Sequence, residues 1–242
     1  MIVAAALCPA PPLLVPELTG AQEVAPGLRD ACLASVAELM AATPDAVAVV
    51  GAADRTGTWS DGAAFDLARY APGPVRGGQA GKANKVPGAL PSSLGVGAWL
   101  LGHAGASARR ILLAVGADEP VSRCAAIGAE LAVESGRVAL LVMADGSARR
   151  GLRAPGYLDG RSAGFDAEVE SAVRAGQLDR LLEVDQVLAR ELMAAGRPAW
   201  QVLAGALAGR KVSSEIRYCD DPFGVAYLVA SLRVEPEGAA DE

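Results

Sequence analysis

The chain opens with a short apolar run, Ile2 to Leu7, closed by a turn carrying Pro9, Pro11 and Pro12. A run this short suits no stable helix. Its lack of polar alternation suits a strand buried on both faces of a parallel sheet. Proline donates no ladder hydrogen bond, so the strand ends near Cys8. In an open α/β sheet, ligands bind at the loops that leave the carboxyl ends of such strands. The Cys8 to Pro12 turn is therefore the mouth around which the rest is read.

The pattern then repeats. From Pro26 to Ala42, Leu28, Cys32, Val36, Leu39 and Met40 form one apolar stripe, which predicts a helix, and Thr43-Pro44 stops it. Asp45 to Gly51 predicts a second buried strand, completing a strand–helix–strand unit. Ala52 to Pro91 is rich in Gly and Pro and predicts a long irregular loop with room for a short strand. Further strands are predicted at Arg110–Gly116 and Val138–Met143, with helices at Ser92–Ala104 and Pro120–Ser135. A polar loop spans Ala144 to Gly164. Phe165 to Gly209 predicts several short helices, with Gly176, Gly196 and Gly209 as stops and Asp185 as an N-cap. Lys211–Cys219 and Val225–Val234 predict a hairpin, so the fold class is α/β with a mostly parallel sheet and an antiparallel C-terminal pair. Residues 1–235 form one domain, and Pro236 to Glu242 read as a disordered tail.

Composition narrows the function. With 52% hydrophobic residues the chain has material for a core, and its net charge of -6 argues against nucleic acid, which selects basic faces. Cys8, Cys32, Cys124 and Cys219 are scattered, as expected for reduced thiols in a cytoplasmic protein. No apolar run reaches membrane-spanning length, and the N-terminus lacks the basic residues of a signal peptide.

His103 is the single histidine and sits late in a predicted helix, where a structural role at the negative end of the dipole is expected. That leaves little for serine or cysteine nucleophile chemistry. Gly95-Val-Gly97 is followed by Leu100 where a dinucleotide fingerprint needs glycine. The strand-end loops carry more. They hold Asp54 and Arg55, then Asp118 and Glu119, then Asp145, Ser147, Arg149, Arg150 and Arg153. The carboxylates could hold a divalent ion and the arginines could clamp a carboxylate or phosphate. Taken singly, each also reads as a cap or a solvated loop residue.

Four stretches together resemble one family: Ala6 to Glu17, Ala144 to Arg149, Trp200 to Leu207 and Asp221 to Tyr227. The chain resembles an actinobacterial branch of the class III extradiol ring-cleavage dioxygenases, in the B-subunit-like superfamily that includes the Memo proteins. The resemblance implies a single three-layer αβα domain and Fe(II) held by two histidines and a glutamate, with a further histidine as acid/base. On that register the first histidine is replaced by Ala10, and the second falls where only Asp54 and Arg55 stand. The acid/base histidine, which follows Ser147, is Ala148, and the glutamate is Gly196, four residues before Trp200. Iron needs its two-His-one-carboxylate set, so no iron cofactor is expected, and an active ring-cleaving dioxygenase is the third and least favoured reading. The leading expectation is a non-catalytic or repurposed relative that binds a small anionic or aromatic molecule, or a partner protein, at the old mouth. Candidate pocket residues are Cys8, Ala10, Asp54, Arg55, Asp145, Ser147, Arg149 and Arg150, with no metal ligands. An enzyme using a carboxylate-bound divalent metal through Asp54, Asp118 or Asp145 is the alternative. A homo-oligomer is allowed, and neither a membrane nor a nucleic-acid partner is expected.

Overall fold

In the computed structural model, which describes residues 1–19, 24–70 and 88–235, the chain leads with an apolar strand. Strand β1 (Ile2–Cys8) is buried almost throughout, and a single 3-10 turn, Pro12–Leu14, followed by the short α1 (Pro16–Thr19), carries the chain off the sheet. Helix α2 (Pro26–Ala41) returns it to β2 (Ala46–Ala53), two residues longer at its carboxyl end than its apolar run suggests. The extension exists because Ala52 and Ala53 keep pairing with Val115 and Gly116.

The short strand allowed for in the following loop is β3 (Gly57–Trp59), antiparallel to β4 (Arg109–Gly116). Helix α3 (Ser92–His103) joins them, then α4 (Val121–Ala132) leads to β5 (Val138–Met143). The helical stretch resolves into α5 (Ser162–Arg174), a 3-10 turn at Leu178–Glu183, α6 (Gln186–Glu191) and α7 (Arg197–Ala206). The hairpin is β6 (Val212–Asp220) with β7 (Tyr227–Val234). The C-terminal tail lies outside the described residues.

The strands form one sheet in the order β3-β4-β2-β5-β1-β7-β6. The inner four, β4, β2, β5 and β1, are mutually parallel, and β7 pairs antiparallel with β1. Period-two alternation divides the core. Val138, Leu140 and Val142 face one side with Ile127, Val169 and Leu203, whereas Ala139, Leu141 and Met143 face the other with Leu28, Val36 and Leu94. Helices therefore cover both faces, giving the three-layer αβα architecture. Two glycines bring α4 onto α7: a Cβ at Gly128 would fall 2.5 Å from Ala206 N, so the helices cross backbone to backbone. Among the described residues no helix is long and apolar enough to cross a membrane.

Registration sets the site. Cys8 pairs with Met143, Met143 with Gly51, and Gly51 with Ala114, so four carboxyl ends finish at one level. Ala10, Asp54, Glu119 and Asp145 all leave from that edge.

Candidate functional site

The centre of the edge is held by backbone. Asp145, straight after β5, accepts the N–H of Ala10 through Oδ1 at 2.9 Å, tying the loop after β1 to the loop after β5. Gly196 N donates to Asp145 O at 2.8 Å, and Ala148 N donates to Leu192 O at 3.0 Å. Ser147 is fully buried and donates through Oγ to Asp166 at 2.5 Å, while its carbonyl accepts from Ala226 N. The Asp145 carboxyl is pushed up to about 6, because burial disfavours its charge more than the Ala10 hydrogen bond favours it. Burial likewise raises Asp166, against the pull of the Ser147 hydrogen bonds.

These residues do not fit Fe(II). Ala10, Ala148 and Gly196 have no donor side chain, and Gly196 also has no room for one. A Cβ there would stand 2.6 Å from Asp145 O and 2.8 Å from both Ala144 Cβ and Trp200 Cζ2. Gly196 starts α7 in right-handed helical geometry (φ -72) instead of stopping a helix, whereas Gly176 and Gly209 have the positive φ of helix ends. Asp54, Asp118 and Asp145 are not brought together either. Asp118 is solvent-facing beside Arg190 at 2.8 Å, and no described group of three His, Cys, Asp or Glu could hold a metal. Asp118 is not a cap, since Pro120 occupies that position without a side-chain bond.

Cys8 is fully buried at the end of β1, and the buried Cys32 thiol beside it is raised first by its hydrogen bond to Cys8 and then by desolvation. Arg150 is committed to carboxylates: its Nε lies 2.7 Å from Asp221 and 3.8 Å from Asp166. Arg149 turns elsewhere, packing beneath Gly156, with a buried Nε that has no hydrogen-bond partner. Arg153 is exposed. His103 is exposed and stacks on Trp99 at 3.8 Å, one helical turn away.

Open space at this edge lies beside β2. A cleft of about 750 Å³ is lined by Asp54, Arg55, Trp59, Arg69, Tyr70 and Ser92, among others. The local sequence explains it. Strand β3 turns Trp59 back along the sheet, and Asp66 caps the 3-10 turn at Leu67–Arg69 by accepting Ala68 N, which presents Arg69 and Tyr70. Ser93 cannot cap α3, because its Oγ donates to Ala52 O at 2.8 Å and closes the gap above Gly51. The α3 N-terminus, with Pro91 as N-cap, therefore has no side-chain cap where it meets the cleft. Arg55 and Arg69 are exposed, and among the described residues neither makes an ion pair.

Sequence reasoning reached Asp54 and Arg55 but missed Trp59, Arg69 and Tyr70, which lie in a stretch without periodicity. It also missed Arg197. That side chain is 2% exposed and donates to Ala117 O at 2.6 Å, Glu119 O at 2.9 Å and Gln201 Oε1 at 2.8 Å. It holds the β4–α4 turn, where Glu119 accepts from Thr56 at 2.5 Å and so anchors the chain just after Arg55.

No protein-family model matches this sequence, and no curated protein matches it. A solved structure does. The crystal structure of an uncharacterized protein, JW3007 from Escherichia coli K12, superposes with a TM-score of 0.55 at 14% identity, covering 96% of this chain and 99% of that one. At that identity the likeness concerns the fold.

Proposed function

We propose that this chain is a repurposed relative of the extradiol dioxygenase scaffold that binds a small anionic aromatic molecule in the cleft beside β2, without iron. The observation that carries the reading is the pair of guanidinium groups, Arg55 and Arg69, which make no ion pair among the described residues and are set around Trp59 and Tyr70. A guanidinium left without a carboxylate partner offers planar, bidentate donors to a ligand carboxylate or phosphate. The aromatic rings offer faces for a ligand ring to stack on. The uncapped α3 N-terminus adds backbone N–H donors and positive potential at the same wall. Asp54 can accept from a ligand hydroxyl.

Resemblance to the dioxygenases supports an aromatic ligand, and the closure around Gly196 supports the loss of the iron chemistry. The Arg149–Arg153 loop is the weaker anion site, because Arg150 is already neutralised by Asp221 and Asp166. Calorimetry with benzoate and phenyl phosphate tests the assignment. Arg55→Ala and Arg69→Ala should each weaken binding by about 1–2 kcal/mol. Arg153→Ala should leave it unchanged. Binding that survives the double arginine variant, or no binding at millimolar concentration, would sink the assignment.

A further inference from the structure

The corner that carries Arg55 is a short bridge over the end of β4. Strands β2 and β3 flank β4 on opposite sides: Ala53, at the end of β2, pairs with Gly116, and Gly57, at the start of β3, pairs with Ala114. Asp54, Arg55 and Thr56 alone make the crossing. Both ends of it are fastened to β4 and the turn that follows. Ala53 O accepts from Ala117 N at 3.1 Å. Thr56 Oγ1 accepts from Gly116 N at 2.9 Å and donates to Glu119 Oε1 at 2.5 Å. A threonine hydroxyl can do both at once, and a valine of the same shape can do neither.

The far side of the fastening is itself held. Arg197, 2% exposed, donates to Glu119 O at 2.9 Å and to Ala117 O at 2.6 Å. Arg55 is exposed and makes no hydrogen bond or ion pair among the described residues, so the backbone of the bridge alone sets where its side chain starts. Arg69 has a different support, the 3-10 turn that Asp66 caps. The two guanidinium groups of the cleft are thus positioned by separate devices, and only one of them passes through Thr56.

We propose that Thr56 is a positioning residue for the cleft beside β2, its two hydrogen bonds holding the bridge so that Arg55 meets the acid group of a ligand. The inference rests on the reading of that cleft as an anion site. A ligand that met a loose bridge would have to order it on binding, and the lost freedom would be subtracted from affinity.

The experiment is a set of double-mutant cycles on the full chain, read by calorimetry with phenyl phosphate. Thr56→Val weakens binding by about three- to tenfold, and Thr56→Ser, which keeps the hydroxyl, binds as wild type does. In the Arg55→Ala background Thr56→Val has no further effect, whereas in the Arg69→Ala background it has its full effect. A change that merely loosened the fold would add to both. Should Thr56→Val fail to fold, Glu119→Ala removes the same hydrogen bond from the other side and shows the same dependence on Arg55. Wild-type affinity in Thr56→Val, a loss that Thr56→Ser shares, or an effect that persists without Arg55 overturns this inference alone, since wild type and Arg55→Ala still report on the cleft. No binding of phenyl phosphate to wild type overturns the cleft reading and this inference with it.

Discussion

Asp145→Asn should stabilise this protein at neutral pH and do nothing at acid pH. Burial pushes the Asp145 carboxyl from 3.8 to about 6. An acid whose folded value lies above its unfolded value binds more protons in the folded state. Stability therefore falls as pH rises between those two values, from about pH 4 to about pH 6, and stays lowered above that window. A shift of roughly two units corresponds to about 3 kcal/mol. Asp145 retains partial exposure, so solvent screening should bring the effect to about 1–3 kcal/mol. Asparagine keeps an acceptor for the Ala10 N–H and removes the charge. In a chain of this length each kcal/mol moves Tm by about 2–4 °C, so the variant should melt about 2–12 °C above wild type at pH 7. The two should coincide at pH 4. Thermal melts of both proteins in matched buffers from pH 4 to pH 8 give the difference directly. A variant that melts lower than wild type at pH 7, or a difference flat across that range, would refute the assignment of a buried, destabilised charge.

Three further expectations concern the scaffold. Val49→Asp places a charge at a fully buried position of β2 and should destabilise by about 3–5 kcal/mol, read by chemical denaturation; wild-type-like unfolding would contradict the burial. Gly128→Ala forces α4 away from the backbone of α7 and should cost about 1–3 kcal/mol, whereas Gly102→Ala, with open space around it, should be neutral or stabilising. His103→Gln removes a solvent-facing ring stacked on Trp99, so ligand affinity should stay within a few fold of wild type; a hundredfold loss would move the site to the end of α3.

How much of this was legible in the sequence depends on periodicity. Continuous apolar runs such as Val138–Met143 read as strands because both faces are buried, and the core assigns alternate residues of that run to opposite helix layers. Strand β3 was not located, because a three-residue edge strand has too few residues to show a period. Gly196 was misread as a stop because glycine marks a helix end only where φ is positive, and here the constraint is steric: Asp145 O, Ala144 and Trp200 leave no space for a side chain. Arg197 could not be found from spacing at all. Its burial is permitted by backbone acceptors that belong to a turn some eighty residues away in the chain, Ala117 O and Glu119 O.

The arginines show the same limit most clearly. Three guanidinium groups in Arg149–Arg153 made that loop the conspicuous basic cluster on an acidic chain, but a positive side chain is available to a ligand only when no internal carboxylate has claimed it. Asp166 and Asp221 come from α5 and from the β6–β7 turn, and both meet Arg150. Arg55 and Arg69 sit in an aperiodic stretch with no such partner among the described residues. Local charge density pointed to the loop after β5, and the pairing made by distant segments is what turns our proposal to the cleft beside β2. Exchanging Arg150 for glutamine should therefore leave benzoate binding at Arg55 and Arg69 unchanged, as read by calorimetry. A fall in benzoate affinity in that variant would show that Arg150, and with it the loop after β5, belongs to the anion site after all.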